Sequence, residues 1–196
     1  MSKIKLYAKK TFDFIWYEDS VASWIVNVIL AFLIVKFLIY PGLGLILGTS
    51  YPVVAVVSSS MEHNSNFETW WEANSNWYEN INISKEQFES YSFKNGFNKG
   101  DIMVLVGVKP EKIKLGQVAV FQGSLRDPII HRIVKVYNEN NQIFIQTKGD
   151  NNADSRSDEL KTSSNAVYGR ALFKIPWLGY VKILFVDLIN VVKNII

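Results

Sequence analysis

The longest run of hydrophobic positions lies at residues 21–40, VASWIVNVILAFLIVKFLIY, and only Ser23, Asn27 and Lys36 interrupt it. A helix that spans a membrane needs about 20 predominantly apolar residues. A lysine near the end of such a run can extend its amine to the headgroups. A cleaved signal peptide would end in a small-x-small motif, which this run lacks. The pattern therefore predicts an uncleaved membrane anchor.

The segment after this run, residues 41–57, is also apolar but contains prolines and glycines, PGLGLILGTSYPVVAVV. Because these residues break helices, we expect the long helix to end here and YPVVAVV to form a strand. The anchor and its exit segment are assigned to residues 21–48. The lysines that precede the anchor place residues 1–20 in the cytoplasm by the positive-inside rule. The following domain then lies on the extracytoplasmic side.

Residues 101–149 contain short β-branched segments separated by turn signals: DIMVLVGV, QVAVF, IIHRIVKVY and QIFIQTKG. Hydrophobic runs of this length with partial alternation are typical of strands. The pattern predicts a mainly β, antiparallel domain at residues 49–174, which begins near Tyr51. The fold class is therefore mainly β, with an N-terminal transmembrane helix.

A polar, asparagine-rich insertion at residues 63–99 interrupts the β pattern. Its sequence predicts two short helices, ETWWEANSNWYEN and SKEQFESY, and Ser84 is a candidate cap of the second. Several aromatic residues lie close together in it: Trp70, Trp71, Trp77 and Tyr78. They would form either a small satellite core or a patch that contacts the membrane interface or covers a substrate.

The C-terminal segment, residues 175–196, is hydrophobic but is interrupted by Lys182, Asp187 and Lys193. Three interpretations remain open. The segment could be a helix that lies in the membrane interface, a marginal second span, or a buried terminal element of the β domain.

The amino-acid composition excludes several kinds of catalytic and binding site. The chain of 196 residues contains no cysteine, which excludes thiol nucleophiles, disulfides and cysteine-based metal sites. Its net charge of +3 comes from scattered basic residues, unlike the clustered positive charge of a nucleic-acid-binding protein. With only two histidines, His63 and His131, a histidine-rich metal site is not expected. We predict neither a metal nor a cofactor.

The remaining candidates for chemistry are hydroxyls, one imidazole and carboxylates. Ser58, Ser59 and Ser60 follow the strand predicted at 51–57, and His131 lies within an apolar strand. Serine hydrolysis needs a nucleophile, a base and donors to the oxyanion. The loop 147–159 adds four acidic residues, Asp150, Asp154, Asp158 and Glu159. Each feature also has a structural interpretation: a polar turn, a core histidine and a solvated loop.

Five motifs occur along the chain in a specific order: VVSSSME (56–62), NKGDIMVL (98–105), IIHRIVKV (129–136), TKGDNN (147–152) and YGRALFKIPWLGYVKI (168–183). Together they resemble type I signal peptidases over about residues 20–185, apart from the insertion. The bacterial branch of that family uses a lysine base. In this chain the corresponding position is His131. In this respect the chain is similar to the branch of the family found in archaea and in the endoplasmic reticulum.

The resemblance implies roles for individual residues. The nucleophile is the serine directly before methionine, Ser60, and the general base is His131. The oxyanion donors are the Ser60 N–H and the Ser58 hydroxyl.

The third member of the triad stays open among Asp150, Asp154 and Asp158. The family commonly has a proline where His63 stands, and an aspartate where Arg156 stands. His63 is a rival base, although three residues from Ser60 it would need a tight turn to reach that hydroxyl.

The resemblance further implies the removal of signal peptides from exported preproteins, after small residues. An extended substrate would add to the strands near 51–57 or 101–106. The expected partners are signal-peptide-bearing preproteins and the lipid membrane, with the translocon as a further candidate. Two alternatives remain: a membrane-tethered serine protease with another substrate, and a non-catalytic accessory or binding subunit at the translocon.

Overall fold

The computed structural model describes residues 3–124 and 127–195; the outermost positions of the predicted segments 1–20 and 175–196 lie outside the described residues. The chain forms two compact units, Met1–Ile46 and Leu47–Ile196. The helices of the first part are α1 (Lys3–Trp16), α2 (Val21–Ile34) and α3 (Tyr40–Leu47), and a π-helical segment, Val35–Ile39, joins α2 to α3.

Two polar residues of the apolar run have a local function. The Ser23 hydroxyl donates to the Phe14 carbonyl (2.6 Å), and the Asn27 amide donates to the Ile15 carbonyl (2.9 Å). Both carbonyls lie in the last turn of α1, where a helix leaves its acceptors without intrahelical partners. These polar side chains therefore tie the end of α1 to α2.

The expectation that Pro41 and its neighbouring glycines end the long helix is wrong. The helix continues over Val21–Leu47, 27 residues with a mean hydropathy of 2.3. A proline removes the donor that would bond four residues back. Here the preceding π-helical turn, in which the Tyr40 N–H donates to the Val35 carbonyl, changes the bonding pattern before the proline. Among the described residues this is the one helix long and apolar enough to cross a membrane.

The second unit is built on one antiparallel sheet, which confirms the predicted fold class. Its strands are β1 (Val53–Ala55), β2 (Ile102–Val106), β3 (Val118–Phe121), β4 (Ile129–Glu139), β5 (Gln142–Lys148), β6 (Thr162–Ser163) and β7 (Val167–Ile175). Their order across the sheet is β1-β2-β7-β3-β4-β5-β6. The hydrophobic pattern predicts the first five strands, whereas β6 and β7 are additions from the structure.

The core beneath the first strands is apolar and holds the residue next to the candidate nucleophile. Met103 and Leu105 alternate inward along β2, and Phe97 and Val120 join them. Met61, which is 1% exposed, belongs to the same cluster. The serine turn is therefore anchored in the core by the residue that directly follows Ser60.

The insertion folds as predicted into two short helices, α4 (Phe67–Glu79) and α5 (Lys85–Glu89). The Ser84 hydroxyl accepts from the Gln87 N–H (3.2 Å), as expected of a helix cap. Six buried residues of the insertion pack with Val134 of β4: Phe67, Trp70, Trp71, Tyr78, Ile83 and Phe88. This packing confirms the interpretation as a satellite core, which attaches the insertion to the sheet.

The last helix, α6 (Tyr180–Ile195), exposes large apolar side chains in its described part. Leu184 and Phe185 are 66% and 63% exposed, which excludes the interpretation as a buried terminal element. The described part of this helix is thus apolar and largely exposed.

Candidate active site

The three consecutive serines form a turn at the end of β1. Backbone pairing extends past the strand, because the Val56 N–H donates to the Asp101 carbonyl (2.9 Å) and the Gly100 N–H donates to the Val56 carbonyl (2.9 Å). The Glu62 N–H then closes the turn on the Ser59 carbonyl (3.0 Å). Ser60 is therefore presented between a paired strand and the buried Met61.

The loop after β5 supports this turn from behind. The Asn151 N–H donates to the Ser60 carbonyl (2.8 Å), and the Asn151 side-chain amide donates to the Ser59 carbonyl (3.1 Å). A Cβ on Gly149 would lie 2.7 Å from the Ser60 carbonyl oxygen, so this close approach requires glycine. The motif TKGDNN thus fixes the backbone of the candidate nucleophile.

His131 lies on β4 and is 5% exposed. Its Nε2 is 2.9 Å from the Ser60 hydroxyl oxygen, and its Nδ1 is hydrogen-bonded to the Glu159 carboxylate. An ionised carboxylate only accepts, so Nδ1 carries the proton and Nε2 is free to accept from the hydroxyl. The structure therefore brings together a hydroxyl, an imidazole and a carboxylate in the order that a serine hydrolase requires.

Glu159 is fully buried and is held at several points. Its Oε1 also accepts from the Thr147 hydroxyl (2.8 Å), while its Oε2 accepts from the Arg156 N–H (3.3 Å). The Thr147 N–H donates to the Glu159 carbonyl (3.1 Å). Thr147 on β5 consequently fixes both the backbone and the carboxylate of Glu159.

The expected aspartates do not contact His131, and Glu159 takes that place. Asp158 accepts from the Ser124 N–H (3.0 Å) and hydroxyl (2.5 Å), and these hydrogen bonds lower its pKa to about 2. Asp154 accepts from the Trp77 indole N–H (2.9 Å). The physical reason is a tight turn in which the Glu159 N–H donates to the Arg156 carbonyl (2.9 Å), and in this turn Glu159 is held by Thr147 while Asp158 is held by Ser124.

Asp150 forms a separate buried cluster. Its carboxylate accepts two hydrogen bonds from the Arg132 guanidinium (2.9 and 2.7 Å) and one from the His63 ring (3.0 Å). Burial acts to raise the pKa of Asp150, but the Arg132 charge and these hydrogen bonds hold it well below its ordinary value. Its N–H points to the Met61 sulfur (3.3 Å). Asp150 therefore helps to hold the loop that supports Ser60, and it does not contact His131.

His63 belongs to that cluster and not to the serine turn. Its ring stacks on Trp70 with centroids 3.7 Å apart, and its side chain is 1% exposed. Since its Nε2 bonds to Asp150, the structure gives no support to His63 as a rival base for Ser60.

Ser58 lies close to the nucleophile position, with its hydroxyl oxygen 3.2 Å from that of Ser60. An exposed hydroxyl at this distance is compatible with donation to an oxyanion beside Ser60, and this role stays a prediction. Among residues 3–124 and 127–195, no group of histidine, aspartate and glutamate side chains is arranged to hold a metal ion.

The sequence motifs assign no role to Glu159 or Thr147. One signal did exist, since Glu159 directly follows Asp158 in the acidic loop. The loop between the motif TKGDNN and these two acidic residues is irregular. The spacing alone therefore does not show whether Asp158 or Glu159 faces inward.

Comparisons with known proteins identify relatives of this chain. The chain is 29% identical over 157 residues to the signal peptidase complex catalytic subunit SEC11C of Homo sapiens, which is 76% of this chain and 65% of that protein. It is 25% identical over 158 residues to the subunit SEC11 of Scheffersomyces stipitis, 77% of this chain and 75% of the relative.

A shorter match, 34% identical over 102 residues, relates 48% of the chain to 61% of SEC11 of Lodderomyces elongisporus. The chain thus spans about 65% of the length of the SEC11C relatives that it matches. No protein-family model matches it. The resemblance drawn from the five motifs is confirmed by these matches: the chain is a homologue of the catalytic subunits of signal peptidase complexes.

Proposed function

We propose that this chain is a membrane-bound serine endopeptidase of the signal peptidase I type, which removes signal peptides from exported preproteins. The observation that carries the proposal is the hydrogen-bonded series from Ser60 through His131 to Glu159. The names of the relatives support the same activity.

In this mechanism Glu159 holds the His131 ring so that Nε2 faces the Ser60 hydroxyl. His131 takes the hydroxyl proton as Ser60 attacks the scissile carbonyl, and it then gives a proton to the leaving amine. The Ser60 N–H and the Ser58 hydroxyl donate to the oxyanion. Water, activated by the same imidazole, hydrolyses the acyl-enzyme and restores Ser60.

Glu159 replaces the three aspartates as the proposed orienting carboxylate. Asp150 acts through Arg132 and the loop behind Ser60, whereas Asp154 and Asp158 bond to Trp77 and Ser124 at the surface. The aspartates therefore have structural roles in this proposal.

The substrate enters as an extended peptide next to Ser60. β2 lies between β1 and β7, so its backbone groups are already paired. β1 is an edge strand, and its outer side can add a further strand. Substrate addition is thus assigned to β1, and the resemblance implies small side chains one and three residues before the cut.

The proposed placement in the membrane follows the predicted segments. Residues 21–48 form the anchor, residues 1–20 are cytoplasmic, and the domain 49–174 acts on the extracytoplasmic side. The C-terminal segment 175–196 is assigned to the membrane interface, because the described part of α6 exposes apolar side chains. Preproteins, the lipid membrane and the translocon are the proposed partners.

The test is cleavage of a model preprotein by the full chain in detergent micelles, compared with Ser60→Ala and Ser59→Ala. Ser59 is the matched control, since it lies in the same turn and its side chain has no role in the mechanism. We expect Ser60→Ala to abolish a cut after a small residue, and Ser59→Ala to retain it. Equal cleavage by Ser60→Ala and the wild type would contradict the proposal. No cleavage by the wild type would favour the accessory-subunit alternative.

A further inference from the structure

A second concave site shares no residue with the candidate active site. It is a cleft of about 720 Å³ beside the loop between β2 and β3. Four cationic residues line it, Lys109, Lys112, Lys114 and Arg170, against one carboxylate, that of Glu111. Positive charge is therefore concentrated here, although the whole chain carries a net charge of only +3.

The cations of the cleft form no ion pairs within the described part of the chain. Other surface lysines form ion pairs, such as Lys161 with Glu139 (2.7 Å). Within residues 3–124 and 127–195, neither the three cleft lysines nor Arg170 takes part in such a pair. Unpaired cations that converge on a cleft create a positive potential, which attracts an anion.

The backbone that carries these lysines is fixed. Pro110 begins a single 3₁₀ turn, Pro110–Lys112, and the next residue, Ile113, is buried at 7% exposure. The Lys114 N–H donates to the Gln117 side-chain oxygen (3.1 Å). The lysines are consequently presented from an ordered turn, so little backbone entropy is lost when they bind a ligand.

The wall of the cleft contacts Leu47 and Gly48, which belong to the same compact unit as the cleft. The Gly107 N–H donates to the Leu47 carbonyl (2.7 Å), and a Cβ on Gly107 would lie 1.9 Å from the Gly48 carbonyl oxygen. Leu47 is the last residue of the 27-residue apolar helix, which is roughly 40 Å long. Because the hydrocarbon core is about 30 Å thick, the end of a spanning helix reaches the headgroup layer.

We propose that this cleft binds the anionic headgroup of a phospholipid from the membrane that holds the anchor. Lysine ammonium groups act as point charges toward phosphate oxygens, and the Arg170 guanidinium can bind them in a bidentate manner. The inference rests on the membrane anchor of the proposed function and is independent of the peptidase chemistry.

The experiment titrates the purified full chain in detergent with dioctanoyl-phosphatidylglycerol, and separately with dioctanoyl-phosphatidylcholine, by calorimetry. The test variant is Lys109→Gln/Lys112→Gln/Lys114→Gln. The matched control removes three other exposed lysines, Lys99→Gln/Lys135→Gln/Lys161→Gln. We expect saturable binding of phosphatidylglycerol only. A lysine near a charged surface contributes about fivefold to affinity, so the test variant should bind roughly a hundredfold more weakly and the control about as tightly as the wild type.

Three results would overturn the proposal. Equal binding of the two lipids would show that the headgroup charge is not recognised. Wild-type affinity in the test variant would place any binding elsewhere. Displacement of the lipid by an equal concentration of inorganic phosphate would identify a site for soluble anions. Preprotein cleavage in the same samples reports separately on the proposed peptidase, so failure of one conclusion is distinguishable from failure of the other.

Discussion

The substitution Glu159→Gln isolates the charge of the carboxylate, because glutamine keeps the size of a side chain that is fully buried. The carboxylate accepts at both oxygens: from the His131 Nδ1–H, from the Thr147 hydroxyl and from the Arg156 N–H. A glutamine offers one acceptor oxygen and an NH2 group that only donates. One orientation of the amide therefore sets NH2 against the Arg156 N–H, and the other sets it against His131.

The second orientation reverses the tautomer of His131. Its Nδ1 must then accept, so Nε2 carries the proton and can no longer take one from Ser60. The wrong tautomer lowers kcat about 10⁴-fold in triad enzymes. We expect a loss of about 10³–10⁴-fold here, because the first orientation preserves the productive tautomer in a fraction of molecules. KM should change by less than about twofold, since Glu159 does not contact the substrate.

The assay measures initial rates of preprotein cleavage, with thermal unfolding of each variant as the check on folding. Asp158→Asn is the matched control, because Asp158 precedes Glu159 but bonds to Ser124 and Arg156. Its kcat should stay within about twofold of the wild type. The reasoning is refuted if Glu159→Gln retains more than about a tenth of the wild-type kcat, or if Asp158→Asn loses as much as Glu159→Gln.

Further predictions concern the residues that support the site. Thr147→Val removes one hydrogen bond to Glu159 and should lower kcat about tenfold with little change in KM, as measured by steady-state cleavage. Asp150→Asn leaves the buried Arg132 charge unpaired and should destabilise the domain by about 3–5 kcal/mol, as read from denaturant unfolding. Because the folded-state pKa of Asp150 is lowered, its contribution is present above about pH 4 and declines below it, and unfolding titrations of the wild type at pH 3 and pH 6 would show whether it does. Burial lowers the pKa of Lys148 to about 8, so stability should rise as the pH increases from 8 toward 10.5 in the wild type but not in Lys148→Met.

The sequence predicts the parts of the fold that have a regular hydrophobic pattern. β2 alternates between partly buried and fully buried residues, and its pattern is recognisable without a structure. In β7 the apolar residues do not mark a buried face, because Leu172, Phe173 and Ile175 are exposed near the end of the strand. The sequence of β7 therefore lacks such a pattern. The helix through Pro41 was likewise unpredictable, since it depends on a local change of hydrogen bonding in the preceding turn.

The residues of the candidate site likewise fall into those that the sequence predicts and those that it does not. Ser60 and His131 stand next to distinctive neighbours, Met61 and Arg132, and both neighbours are buried. These positions are therefore recognisable from short motifs. The partner of His131 lies in an irregular loop, where a turn of a few residues decides which carboxylate faces inward. Local sequence does not determine that direction; it depends on Thr147, which is distant from Glu159 in sequence but bonded to it in the structure.

The position of β7 has a consequence for the order in which the sheet is completed during synthesis. β7 is the last strand to leave the ribosome, yet in the described sheet it lies between β2 and β3. The strands nearest Ser60 and the strand that carries His131 are joined across the sheet only through this last segment. A nascent chain that ends before Val167 therefore has an unfinished sheet and an unassembled nucleophile–base pair. For the proposed peptidase, this order means that the sheet carrying Ser60 and His131 is completed only after Val167–Ile175 has been synthesised.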